Sequence, residues 1–249
     1  MTIRRSLLAV AALPLALGLA ACGTKESEGA PPKGEAIAKI APPAGKAWQD
    51  VVEETPEGGM RMGNPDAPIK LVEYGSLSCP GCAKLARDSF ASLTTNYVAS
   101  GRVSFEFRSF AIHPQDVPMT VLVRCSSKEA FFPLVEQIYA NFEAMNAPYQ
   151  DEATMQRAQA AMQMAPEQRW GAFADTVGYT QFFAQRGVAV DQGKACLADL
   201  AKAKQVADFA QKYSQEGVNS TPTLMLNGAK LEDTSWKALE VALQNAGAR

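Results

Sequence analysis

Cys79-Pro80-Gly81-Cys82 holds two thiols two residues apart, a spacing suited to forming a disulfide and to resolving a mixed one. The flanking residues say where the pair sits. Ile69-Lys70-Leu71-Val72-Glu73-Tyr74 is a short apolar, partly β-branched run that predicts a buried strand, and Gly75 to Ser78 reads as a turn. From Cys82 onward, Ala83, Leu85, Ala86, Phe90 and Leu93 recur at helical spacing, with Pro80 suited to the first turn. Cys79 is therefore expected where a strand hands over to a helix. Unpaired N–H groups and the macrodipole there favour a thiolate and lower its pKa. Such chemistry needs no metal and no histidine. A zinc site would want a second cysteine pair or nearby histidines, but the chain has one histidine, His113, and Cys22, Cys125 and Cys196 stand alone. A purely structural bridge across so small a loop would gain little chain entropy.

Other elements must position this pair. Arg102 to Arg108 alternates apolar and polar residues and predicts a second strand. Thr221-Pro222 enters the apolar run Thr223-Leu224-Met225-Leu226, followed by an Asn227-Gly228 hairpin turn and a return strand from Lys230-Leu231. Ser235 to Ala246 predicts a terminal amphipathic helix. Between these halves, residues 116–200 carry helix-period segments at 121–128, 130–141, 152–164 and 166–177. The expected fold is α/β, a central mixed sheet flanked by helices with an inserted all-helical subdomain.

The 249 residues are 47% hydrophobic and 20% charged, a globular composition with ample chain to bury a core. With 24 basic against 26 acidic residues and no basic run, the chain has no footprint for nucleic acid. Residues 1–21 read as a secretory signal: Arg4 and Arg5, then an apolar stretch from Leu7 to Leu19 that is short for a membrane span. Leu19-Ala20-Ala21-Cys22 resembles the lipobox of bacterial lipoproteins, which implies lipid on Cys22; an ordinary signal peptide is the alternative. Residues 22–51, rich in Gly, Pro, Ala and charge, are expected to be a flexible tether. Gly23 after the lipidated cysteine resembles an outer-membrane rather than an inner-membrane sorting signal. The compartment is then oxidising, and disulfides persist there.

Over roughly residues 60–247 the chain resembles the DsbA-type disulfide oxidoreductases of the thioredoxin fold. The resemblance rests on Gly63-Asn64-Pro65-Asp66-Ala67-Pro68 leading into the first strand, on Cys79-Pro80-Gly81-Cys82, on Thr221-Pro222 and on the long helical insert. It implies a division into 52–115, the first half with the dithiol; 116–200, the insert; and 201–249, the second half with a cis-proline loop. It also implies roles. Cys79 would be the exposed nucleophile and Cys82 the resolving thiol, with Pro80 and Gly81 between them at the substrate-facing tip. Thr221 and cis-Pro222 would pair with an extended substrate, and Glu73 would be the buried acid serving Cys82. The alternatives are a trans proline at a strand entrance and a polar strand-end glutamate. Gly81 departs from the histidine of strongly oxidising members and so predicts a less oxidising couple. The implied partners are exported client proteins and a membrane redox partner, either a DsbB-like oxidase or a reductase, with no cofactor. The short tether lacks the dimerisation domain of related isomerases, so a monomer is expected.

Cys125 and Cys196 are expected in the first and last helices of the insert. In an oxidising compartment the economical reading is a structural disulfide between them, two free buried thiols being the alternative. Met155, Met162 and Met164 are expected to fill helical core, a metal-binding or adaptable-groove role being the alternative; Phe131, Phe132, Phe182 and Phe183 are expected in the core or lining a groove. His113 is expected in a loop, with a substrate-groove contact as the alternative.

Overall fold

Six strands pair into one sheet in the computed structural model, which describes residues 34–249. The strands are β1 (Val52–Glu54), β2 (Met60–Gly63), β3 (Ile69–Gly75), β4 (Val103–Ser109), β5 (Thr223–Leu226) and β6 (Ala229–Lys230). Their order is β1-β2-β4-β3-β5-β6, with β3 and β4 parallel and every other neighbouring pair antiparallel. A parallel pair cannot be joined by a tight turn. Helix α1 (Pro80–Ser92) makes the crossover. β4 lies between two strands, and its alternation sends Phe105 and Phe107 against Phe132 and Phe131 of the main core. On the opposite face Glu106 and Arg108 bury an ion pair at 2.7 Å.

The β5–β6 hairpin turns at Asn227 and Gly228, both with positive φ (49° and 83°), the conformation such a two-residue turn demands. Asn227 also accepts from the Lys70 N–H at 2.7 Å, which ties the turn to β3. The return strand begins one residue earlier than its expected start at Lys230.

After β4 the chain enters the expected all-helical insertion: α2 (Asp116–Arg124), α3 (Phe131–Ala140), α4 (Phe142–Asn146), α5 (Glu152–Met162), α6 (Pro166–Thr176), α7 (Tyr179–Ala184) and α8 (Val190–Ala198). Helix α9 (Leu200–Gln215) leads back to the sheet, where Tyr213 stands edge-on to Tyr74, 5.0 Å between ring centroids. Helix α10 (Trp236–Asn245) is capped by Ser235, whose Oγ accepts from the Ala238 N–H.

Three expectations need correction. The helix expected at 121–128 runs instead over Asp116–Arg124, because Pro118 lies in the first turn, where its missing N–H has no intrahelical acceptor to lose. Met164 is not core but 45% exposed, beyond the end of α5, while Met155 and Met162 are partly buried. The expected tether over 22–51 is also too long. Residues 34–51 pack on the domain: Gly34 N–H donates to Asn245 O, Ile40 N–H donates to Ser100 O, and Trp48 is buried with its indole N–H on Ile40 O at 2.8 Å. One tryptophan anchors a stretch whose Gly and Pro content otherwise reads as linker. Cys22, the expected signal peptide and the rest of the expected tether lie outside the described residues. Among the described residues no helix is long and apolar enough to cross a membrane.

Candidate active site

Cys79 occupies the N-cap of α1, with extended backbone (φ −86°, ψ 123°) and Pro80 at the first helical position. Its side chain makes no capping bond, so the sulfur is free while the first-turn N–H groups lie beside it. Cys79, expected to be exposed, is only 7% exposed because the Thr221-Pro222 loop stands against its sulfur, and Cys82 is fully enclosed; both are free thiols. The thiol of Cys79 donates to Thr221 O at 3.4 Å, and Thr221-Pro222 is a cis peptide. The cis-proline loop therefore faces the dithiol, as the sequence resemblance implied.

The two sulfurs are electrostatically unlike. Cys79 is pulled down to about 5. The main cause is the hydrogen bond from the Cys82 thiol; burial opposes it, and the Thr221 side chain and the N–H groups of Cys82 and Gly81 add to it. The Thr221 hydroxyl is buried with no other protein partner, so it can serve the thiolate. Burial first, then the bond to Cys79 and the Glu73 carboxylate, push Cys82 well above the ordinary thiol range.

Glu73 lies on β3, paired in register with Phe107 and Leu224, and is 7% exposed. Its Oε1 has no hydrogen-bond partner among the described residues. Burial, with smaller contributions from Glu136 and Cys79, pushes its carboxyl up to about 8. It is therefore mostly protonated at neutral pH, beside a thiol that resists ionisation. A Cβ on Gly81 would stand 3.2 Å from Pro222 Cδ and 3.6 Å from Cys79 Sγ. A side chain at that position would pack against both proline and sulfur, and the glycine keeps that side of the pair clear.

Part of the site lies in the insert, on residues that no sequence motif marks. Asp116, 1% exposed in the first turn of α2, accepts from Ser78 N–H (2.9 Å), Ser76 Oγ (2.9 Å) and His113 N–H (3.0 Å). Tyr139 of α3 donates to Ser76 O at 3.0 Å. These bonds fasten the loop before Cys79 to the insert. His113 is a loop residue whose half-exposed ring reaches Ser78 Oγ at 3.0 Å, so it stands beside the dithiol loop. No spacing rule reveals that contact. The Ile112-His113-Pro114 step was the only visible signal. Cys125 and Cys196 are joined as a disulfide, Cα–Cα 6.1 Å, between the residue just after α2 and helix α8.

A strand-to-helix dithiol facing a cis-proline loop, on a mixed sheet interrupted by helices, defines a thioredoxin-fold protein with a helical insertion. Residues 55–245 match the Thioredoxin family, and the chain belongs to it. The protein-disulfide isomerase of Novosphingobium aromaticivorans superposes with a TM-score of 0.67 at 27% identity, over 74% of this chain and 94% of that one. The α-DsbA1 of Wolbachia pipientis shares the fold, with a TM-score of 0.56 at 18% identity, over 78% of this chain and 94% of that one. A Rickettsia bellii protein named as a protein-disulfide oxidoreductase is 33% identical over 82 residues, 33% of this chain and 32% of that protein. Disulfide bond formation protein D of Bacillus subtilis is 33% identical over 52 residues, 21% of this chain and 23% of its own. These alignments span a third or less of either curated relative.

Proposed function

We propose that this chain is a thiol-disulfide oxidoreductase that introduces or exchanges disulfides in exported proteins. The observation that carries this reading is the unequal dithiol: Cys79 near 5 and Cys82 far above it, held at a helix N-terminus against Thr221-Pro222. A client thiolate attacks Cys79 Sγ, the Cys79–Cys82 bond breaks, and Cys82 leaves as a thiolate. Glu73 gives that thiolate its proton. A second client thiolate then attacks the client sulfur of the mixed disulfide and releases Cys79 as a stable thiolate. The client loses two electrons and the dithiol gains them. A membrane redox partner returns the pair to its working state.

Among the described residues no three His, Cys, Asp or Glu side chains gather as a metal site would require, which favours exchange over ligation by the same cysteines. The compartment is the periplasm and the anchor is lipid on Cys22, with the outer membrane preferred over the inner. The Arg4–Arg5 n-region, the lipobox-like Leu19 to Cys22 and Gly23 support this. The chain works as a monomer.

The direction of electron flow turns on Gly81 and Thr221. An exchange or isomerase role is favoured by the open Gly81 and by the structural neighbour named as an isomerase. The reduction potential in glutathione buffers tests both readings, with Cys125–Cys196 followed separately. A value near about −120 to −150 mV marks an oxidase, and one near about −200 mV or below marks exchange or reduction. No reversible two-electron couple at Cys79–Cys82 would end the oxidoreductase reading.

A further inference from the structure

Helix α3 of the insert packs against α1, with Phe132 stacked on Phe90, and brings a second carboxylate near Glu73. Glu136 and Glu73 together line a cavity of about 20 Å³ between α3, α1 and the sheet. That volume exceeds the roughly 10–15 Å³ one water molecule requires. Most of the remaining lining is apolar, with Phe105, Phe107 and Phe132 prominent, and among the described residues no lysine or arginine lines it. The polar groups that do line it are suited to a water. Glu73 Oε1 is buried and unpartnered, and the hydroxyls of Ser89 and Tyr139 spend their protons on Leu85 O and Ser76 O, leaving oxygen lone pairs free. Glu136 itself is half-buried, so it joins this interior to the surface.

We infer that Glu136 and one water in this cavity form the proton path between Glu73 and solvent. The inference rests on the reading of Glu73 as the acid that serves Cys82. When Cys82 leaves as a thiolate, Glu73 protonates it and becomes a carboxylate. A proton then passes from Glu136 through the water to Glu73, and solvent reprotonates Glu136. In the reverse direction the same proton travels outward. No electrons move along this path, and no bond changes except O–H and S–H. Glu136 thus acts through Glu73, without touching sulfur.

The electrostatics agree. Burial alone pushes Glu136 up to about 7, one step below Glu73 at about 8, so both can exchange protons near neutrality. The other titratable groups facing the pair are Cys79, Cys82 and Tyr139, the last held well above the usual phenol range by burial.

Glu136→Gln tests the inference in two ways. Carboxyl NMR of the oxidised protein, which needs no turnover, is expected to show Glu73 titrating at lower pH once its charged neighbour is gone. Resolution of a glutathione mixed disulfide on the wild-type and variant enzymes is expected to slow about tenfold across pH 6 to 8 in the variant, less than the roughly 100-fold or more of a direct acid–base group. Glu136→Asp should recover most of that rate, and Cys79 alkylation should stay at the wild-type rate in both. A Glu73 titration and a pH–rate profile that both match wild type in Glu136→Gln would overturn the relay. Failure of the wild-type enzyme to form a mixed disulfide at all would strike the oxidoreductase reading instead, and the NMR titration would still decide whether the carboxylates are coupled.

Discussion

Cys79 depends on its neighbour for its acidity more than on the helix alone. The hydrogen bond from Cys82 is the largest influence lowering it, ahead of the Thr221 side chain and the first-turn N–H groups. Cys82→Ala removes that bond but keeps the helix, the N-cap and Thr221. The variant's Cys79 should therefore ionise above about 5 and below the ordinary value of 9.0. Alkylation rate against pH reads this directly, with a shifted midpoint expected; an unmoved midpoint would assign the acidity to the helix terminus. At this scale the sequence was informative about Cys79, Cys82, Thr221, Pro222 and Glu73, because each sits in a motif or one strand away from it. It was silent about Asp116, Tyr139 and Glu136. Those residues reach the dithiol only through tertiary folding of the insert, and spacing along the chain carries no trace of that.

Among the elements, α2 is the joint between catalytic loop and insert. Asp116→Ala leaves the His113 N–H without its acceptor, and leaves the Ser78 N–H and the Ser76 hydroxyl only their longer contacts within the loop, 3.3 Å to Ser76 Oγ and 3.4 Å to Ser78 Oγ. The orphaned donor costs about 1–3 kcal/mol and each weakened bond about 0.5–1.5, so urea unfolding should show a loss of roughly 2–5 kcal/mol. Asp116→Asn keeps one acceptor oxygen and should lose less. The Cys125–Cys196 bond acts on the other end of the same helix. It closes a loop with a sequence separation of 71, which by chain entropy stabilises by about 4 kcal/mol. The Cys125→Ala/Cys196→Ala double variant should lose about that much in denaturant, while keeping the Cys79–Cys82 potential of the parent. A large change in that potential would mean the insert's bridge also tunes the site. The helical segments were legible from 3.6-residue periodicity, and α3, α5 and α6 fall within two residues of expectation at both ends. Strands β1 and β2 were not. They are three and four residues long and lack the alternating β-branched residues that mark a strand.

For the whole molecule, the buried acid couples stability to pH. Glu73 keeps its proton to about 8 when folded but loses it near 4.5 when the chain is unfolded. Between those values the folded state binds more protons, so stability falls as pH rises from 4.5 toward 8; Asp116 and Glu136, also raised chiefly by burial, act in the same direction. In the disulfide form, where Cys79 and Cys82 do not titrate, Glu73→Gln should flatten this dependence. The variant should gain up to about 4 kcal/mol over wild type at pH 8 and nothing comparable at pH 4.5. Parallel stability–pH curves for the two proteins would contradict a buried, proton-holding Glu73. The same burial that destabilises the alkaline protein is what the proposed role of Glu73, as proton source for Cys82, requires.

The central claim is the inequality of the two sulfurs, and thiolate absorbance of the reduced protein, taken against the oxidised protein across pH, measures it most directly. One thiolate should appear with a midpoint at about 5, and the second only well above pH 9.0. Two thiolates emerging together near pH 9.0, or none below it, would contradict the account.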